Sequence, residues 1–170
     1  RAGQQVLITG CLGSVGRVAV QIARLRGAEV VGTCSAAGFD EARALGVREV
    51  VDYRVFNPDD YRDRFDAVYD VQGKFSIRQC GTMRKRGGVA LHNVPKLWNM
   101  LWSLLSSRHK LVFAQLTPQS MAGISEAAAQ GKLPPRIGRT VGLSEAIPAL
   151  VELEKTNLPK GKLIIVPHTL

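Results

Sequence analysis

Three glycines at even spacing, Gly10, Gly13 and Gly16, separate a short apolar run from a stretch in which Val15, Val18, Ala19, Ile22 and Ala23 recur at a helical period. The run, Val6 to Ile8, suits a strand buried on both faces and is too short for a helix. A strand, a glycine turn and an amphipathic helix in that order can hold a dinucleotide pyrophosphate. Gly10 permits the tight turn, Gly13 has no Cβ to keep the backbone from the phosphates, and Gly16 lets the helix lie close on the strand. The first N–H groups of a helix beginning near Ser14, with its positive dipole end, would face the anion. The spacing is GxxGxxG rather than GxGxxG, and glycine-rich turns are common. The motif therefore takes its weight from the elements around it.

The second strand, Glu29 to Thr33, must meet the adenosine ribose of such a ligand. An Asp or Glu at its tip selects a free 2′-hydroxyl, whereas an uncharged or basic tip admits a 2′-phosphate. The tip here is Thr33, Cys34, Ser35 and Ala36, with no acid before Asp40. This favours NADP(H) over NAD(H), against the alternative of a loop that happens to lack an acid.

A short helix over Asp40 to Leu45 closes at Gly46, strand three covers Glu49 to Val51, and Pro58 fits a first helical position after Asn57. Strand four, Ala67 to Asp70, ends at Gln72 and Gly73. A helix over Phe75 to Met83 follows, and Arg86, Gly87 and Gly88 turn the chain into strand five, Val89 to Leu91. His92 and Asn93 then lie at the carboxyl edge, where open α/β sheets place their ligands. His92 is the only histidine so placed, since His109 and His168 are not. A histidine packed beside the loop and bonded to backbone is the preferred reading of it.

Leu97 to Leu105 is the most apolar helix, flanked by Lys96, Arg108 and Lys110 and suited to burial in an interface or beside an active-site mouth. Lys110 to Leu116 reads as a sixth strand at the sheet edge, where a second copy can pair. A helix over Ser120 to Gln130 stops at Gly131. Arg136 to Val141 is extended, Ser144 caps a helix to about Lys155, and Leu163 to Val166 is a closing strand. The βαβαβ alternation predicts an α/β fold with a doubly wound parallel sheet.

With 170 residues and 45% hydrophobic composition the chain suits one soluble globular domain. Cys11, Cys34 and Cys80 form no CxxC or Cys/His spacing, so they suggest small buried residues in a reducing compartment rather than disulfides or a metal site. The cytoplasm is the expected location, with the mitochondrial matrix as the alternative. No signal peptide is visible, and no apolar run approaches the roughly 18 residues of a membrane span. The start at Arg1, without methionine and just before the first strand, suggests a domain of something longer. The net charge of +9 is concentrated: between Val71 and Leu143, 11 basic residues face the single acid Glu126. An anionic partner is implied, whether a phosphate-bearing cofactor, a nucleic acid or an acidic protein.

The runs VLITGCLGSVGRVAVQIARLRGAEVVGTCSA, LGVREVVDY, FDAVYDVQG, MRKRGGVAL and GKLPPRIGRTVGLSEAIPALVELE with GKLIIV make the chain resemble a known family over essentially its whole length. It is the zinc-independent quinone-oxidoreductase branch of the medium-chain dehydrogenase/reductase superfamily, near the reticulon-4-interacting protein group. The resemblance implies a Rossmann-type NADP(H)-binding domain over residues 1–133. Residues 134–170 would return to an N-terminal, GroES-like catalytic domain that this chain lacks, leaving the fragment without half of its active site. Gly10, Gly13, Ser14, Val15 and Gly16 match the pyrophosphate turn, Ser35 and Tyr53 flank the 2′-phosphate, and Gly38 stands where many relatives place a lysine. Val71, Gln72 and Gly73, with Leu91, His92 and Asn93, match backbone contacts near the ribose and nicotinamide. The resemblance further implies a homodimer through Lys110 to Leu116, no zinc, and hydride transfer from NADPH to a quinone or an α,β-unsaturated carbonyl, with no proton donor or other catalytic residue assignable in this chain. The rival is a low-turnover NADP(H)-sensing or scaffold protein whose basic surface around Arg84 to Arg86 and Arg108 to Lys110 binds RNA or another anionic partner; charge alone speaks for it, and nucleic acid is the less favoured partner.

Overall fold

The computed structural model describes residues 2–93, 97–112, 117–156 and 161–167. Lys96, His168 and residues 113–116 of the expected sixth strand lie outside them. The chain divides into two compact units, Arg1–Ser125 and Glu126–Leu170.

In the first unit six strands, β1 (Gln5–Ile8), β2 (Glu29–Cys34), β3 (Glu49–Asp52), β4 (Phe65–Asp70), β5 (Arg84–His92) and β6 (His109–Leu111), form one sheet in the order β3-β2-β1-β4-β5-β6. Every pairing is parallel. Helices α1 (Ser14–Leu25), α2 (Phe39–Leu45), α3 (Ile77–Met83) and α4 (Leu97–Leu105) fill the crossovers, and the link from β3 to β4 carries one 3-10 turn at Pro58–Tyr61. This is the expected doubly wound α/β sheet, and the strand order reverses between β1 and β4.

Strand side chains alternate between faces, so neighbours in sequence enter different cores. Leu7, Val31, Phe65, Val68, Cys80, Met83 and Ala90 form one cluster; Ile8, Cys11, Val20, Val30, Cys34, Ala42 and Val47 form the other. All three cysteines are buried free thiols, and desolvation pushes Cys11 and Cys80 each up to about 12.

Helix α1 is rotated from the orientation its apolar period predicts. Its buried residues are Gly16, Val20 and Gln21, while Val15 and Val18 are exposed. The cause is Gly16: a Cβ there would stand 2.2 Å from the Gly10 carbonyl oxygen. That close approach turns the stripe Gly16, Val20 and Ala23 inward and Val15 and Val18 out.

Other boundaries shift for local reasons. β5 begins at Arg84, not Val89, because Arg84 pairs with Phe65 before a register irregularity that carries Gly87 at φ +88°. α2 stops at Gly46 as expected, with φ +91°. The helix expected from Ser120 begins earlier, as α5 (Pro118–Ala129): Thr117 Oγ1 accepts from the Ser120 N–H at 3.1 Å, and Pro118 needs no N–H there.

In the second unit β7 (Ile137–Gly142) pairs in parallel with β8 (Lys162–Val166), and α6 (Ala146–Thr156) links them. Ser144 does not cap that helix. Leu143–Glu145 form a single 3-10 turn, and α6 starts at Ala146, which keeps Pro148 in the first turn where a missing N–H costs nothing. No helix among the described residues is long and apolar enough to cross a membrane.

Candidate functional site

The carboxyl ends of β1, β2, β4 and β5 open on one edge of the sheet, and the point where the strand order reverses lies between β1 and β4. Gly10 leaves β1 with φ +60°, and its carbonyl accepts the Gly13 N–H at 2.9 Å. A Cβ on Gly13 would come within 3.3 Å of that same oxygen. Gly13, Ser14 and Val15 are exposed and Gly16 is buried. Helix α1 starts at Ser14 with no side-chain cap and no acid in its first turn. Its leading N–H groups therefore have no side-chain cap, and Gly16 lies too close on the Gly10 carbonyl to carry a side chain; a helix start of this kind can accept an anion.

The loop after β4 faces this turn and is held from beneath. Asp70, fully buried, accepts from Thr9 Oγ1 (3.2 Å), the Lys74 N–H (3.2 Å) and the Phe75 N–H (2.9 Å). Thr9 Oγ1 in turn accepts the Gln72 N–H at 3.4 Å. Val71, Gln72 and Gly73 are fixed between these anchors, Gly73 with φ +64°. Gln72 reaches the phosphate turn, since a Cβ on Gly10 would meet its Nε2 at 3.0 Å.

At the tip of β2 the structure adds residues that reading along that strand alone missed. Cys34 lies in register with Asp52 of β3, and the Tyr53 N–H donates to the Cys34 carbonyl at 3.1 Å. Ser35 and Tyr53 are therefore neighbours. Asp52 accepts the Ala36 N–H at 3.2 Å, so an acid does stand at this tip, supplied by the adjacent strand. It also accepts the Arg54 N–H at 2.9 Å and pairs with the Arg54 guanidinium at 3.3 Å. The Arg54 and Ala36 N–H groups and the guanidinium hold its carboxyl below the usual range. The exposed ring of Tyr53 carries two cations, Arg54 at 4.9 Å and Lys74 at 4.5 Å from its centroid. Gly38 is buried, and a Cβ there would stand 2.6 Å from the end of the Leu12 side chain.

The edge of β5 is different. Leu91 and Asn93 are half-buried, and Asn93 accepts from the Tyr69 hydroxyl at 3.5 Å. His92 is buried and stacks on His109 with ring centroids 5.8 Å apart, and Trp102 of α4 lies against His109. Burial above all, then Arg84 and His92, lowers the His109 pKa to about 4. The placement of His109 depends on pairing of β5 with β6, which the sequence spacing does not reveal.

A family model described as zinc-binding dehydrogenase matches residues 45–165. The chain belongs to that family. It is 31% identical to the mitochondrial NAD(P)H oxidoreductase RTN4IP1 of Drosophila melanogaster over 191 aligned positions, covering 96% of this chain and 46% of that protein. It is 28% identical to the medium chain reductase pydE of an Acremonium species, covering 98% and 52%. The quinone oxidoreductase structure from Coxiella burnetii superposes with a TM-score of 0.78 at 25% identity, covering 97% of this chain and 53% of that one. These relatives support the quinone-oxidoreductase-like branch of the medium-chain dehydrogenase/reductases. The chain spans about half the length of the relatives it matches.

The family's description implies zinc. Among the described residues Asp70, Cys80 and His92 bring their potential ligand atoms within 4.8 Å of one another, all buried. Their chemistry does not suit a metal as they stand: Asp70 is committed to three donors within the loop anchor, and burial, then Asp70, keeps the Cys80 thiol protonated. The cluster is better described as part of the support beneath the loop.

Proposed function

We propose that this chain is the NADP(H)-binding domain of an oxidoreductase that reduces a quinone or an α,β-unsaturated carbonyl. One observation carries the reading: Gly10 turns the chain at φ +60° and a Cβ on Gly16 would stand 2.2 Å from its carbonyl oxygen, so the backbone folds back on itself at the start of a helix with no side-chain cap and no acid in its own first turn. When bound, the cofactor supplies the hydride. Gly10, Gly13, Ser14, Val15 and Gly16 would hold its pyrophosphate, and Ser35 and Tyr53 would border the ribose that carries the 2′-phosphate. Val71, Gln72 and Gly73, on their Asp70 anchor, with Leu91, His92 and Asn93, would orient the nicotinamide end. The acceptor's pocket would be completed by a further domain, to which residues 134–170 return. A homodimer through the strand at Lys110, operation without zinc, and a cytoplasmic or matrix location belong to the same proposal. Its relatives' names support a nicotinamide cofactor.

The rival reading as a protein that binds nucleic acid loses ground on one observation. The Arg84 to Arg86 stretch is not a continuous free patch, because Lys85 pairs with Asp66 at 3.0 Å and Arg84 is half-buried within β5.

Calorimetric titration with NADPH and with NADH tests the proposal. Saturable binding, tighter for NADPH, is expected. Ser35→Asp should then weaken NADPH by charge repulsion and spare NADH. Failure of the full-length protein to bind either dinucleotide would rule the function out.

A further inference from the structure

The tip of β2 carries no cation of its own, yet two cations meet beside it. We propose that Arg54 and Lys74, set against the ring of Tyr53, form a phosphomonoester subsite for the 2′-phosphate, and that Lys74 is the residue that sets NADPH above NADH. This inference rests on the cofactor reading above.

Charge counting leads to Lys74. The groups at the tip are the Asp52 carboxylate, the Arg54 guanidinium and the Lys74 ammonium. Asp52 cannot be ignored: a bare carboxylate beside Ser35 would repel a phosphate and favour a free hydroxyl. It is, however, fully occupied by the Ala36 and Arg54 N–H groups and the Arg54 guanidinium. Asp52 and Arg54 together cancel. The net positive charge that remains at the tip belongs to Lys74.

The position of Lys74 is built rather than incidental. Its backbone N–H is tied to the buried Asp70 carboxylate, so its side chain springs from a fixed point on the loop after β4 and crosses to the Tyr53 ring at 4.5 Å. Among the described residues no carboxylate pairs with its ammonium. Tyr53 gives both cations an apolar, electron-rich face, which keeps them at the tip without neutralising them. Tyr53 itself is pinned to Cys34. Residues from the loops after β3 and β4 thus meet at the Tyr53 ring, and Tyr53 is bonded to Cys34, the residue before Ser35. An ammonium held on an aromatic face can leave it for a phosphate at little cost, exchanging a weak contact for a charge-assisted hydrogen bond.

The test compares nucleotides that differ only at the 2′ position. Adenosine 2′,5′-bisphosphate and adenosine 5′-monophosphate are titrated calorimetrically into the full-length protein, along with NADPH, NADH and inorganic phosphate. In the wild type the bisphosphate should bind more tightly than the monophosphate. Lys74→Gln should weaken the bisphosphate and NADPH about tenfold and leave the monophosphate and NADH unchanged, while Lys74→Arg should retain the preference. The preference should also shrink as salt is raised. Unchanged discrimination in Lys74→Gln, with folding verified by circular dichroism, overturns the subsite while leaving the dinucleotide reading intact. Equal losses for all nucleotides would mean that Lys74 acts elsewhere on the ligand, and this too overturns the subsite. Inorganic phosphate binding as tightly as the bisphosphate would reduce it to a general anion site. Absence of binding by every nucleotide would remove the cofactor reading and the subsite with it.

Discussion

The two units of this chain both expose apolar residues, Leu104 and Leu105 in the first and Ile147 in the second among them, but differ in what they bury. In the first, Leu7, Phe65, Val20, Val68 and Met83 are at 0% exposure, sealed between a parallel sheet and its helices. In the second, buried positions among the described residues are small, Val141, Ala146 and Ala149, while Leu143, Ile147, Leu150 and Val151 stand exposed. A two-stranded sheet with one helix has too little surface to enclose a core, and in water it is marginal alone. The first unit therefore stands on its own interior, whereas the second displays the kind of surface that its proposed return to a further domain requires.

The sharpest way to break this comparison is to empty the first core. Phe65 is enclosed at the start of β4, with Tyr61 stacked at 5.8 Å. Phe65→Ala should lower unfolding free energy by about 3–5 kcal/mol, read from urea denaturation. A loss below about 1 kcal/mol would put both units on the same footing.

A second difference is titratable. The first unit buries His109, whose pKa lies near 4 instead of 6.5, and no titratable side chain among the described residues of the second unit is buried. Because the folded-state value is the lower one, the unfolded chain binds the proton first as pH falls. Stability from this group is thus complete above about pH 6.5 and is lost between there and pH 4, by up to about 3 kcal/mol. His109→Gln should flatten that part of the stability curve relative to wild type. Parallel curves for the two proteins would mean that His109 is already protonated, or solvated, in the folded state.

Legibility in the sequence followed the range of the forces involved. The glycine turn, the strands through β4 and the stop of α2 at Gly46 were readable because local backbone geometry and short-range period dictate them. The rotation of α1 was not: it depends on a contact of Gly16 with the Gly10 carbonyl, and the apolar period alone placed Val15 and Val18 inside. Asp52 and Lys74 escaped for a related reason. Each lies near Ser35 only through strand register or loop anchoring, Cys34 against Asp52 and Lys74 on Asp70, and a scan along the second strand sees neither. The preference for NADP(H) drawn from an acid-free tip therefore needs the charge balance across three loops to support it.

The smallest expected effect tests the exposed surface of the second unit. Ile147, in the first turn of α6, is 75% exposed, so replacing it by serine removes little packing within this chain. Ile147→Ser should change the chain's unfolding free energy by no more than about 0.5 kcal/mol, as surface substitutions generally do. The same substitution in the full-length protein should cost more, because there the side chain would be covered and its burial would contribute on the order of 1–2 kcal/mol. The informative quantity is the difference between the two proteins. A large effect in the chain alone would show that Ile147 is already packed, and the surface would not be awaiting a partner. A negligible effect in both would leave α6 exposed in the intact protein and would detach residues 134–170 from the proposed interdomain contact.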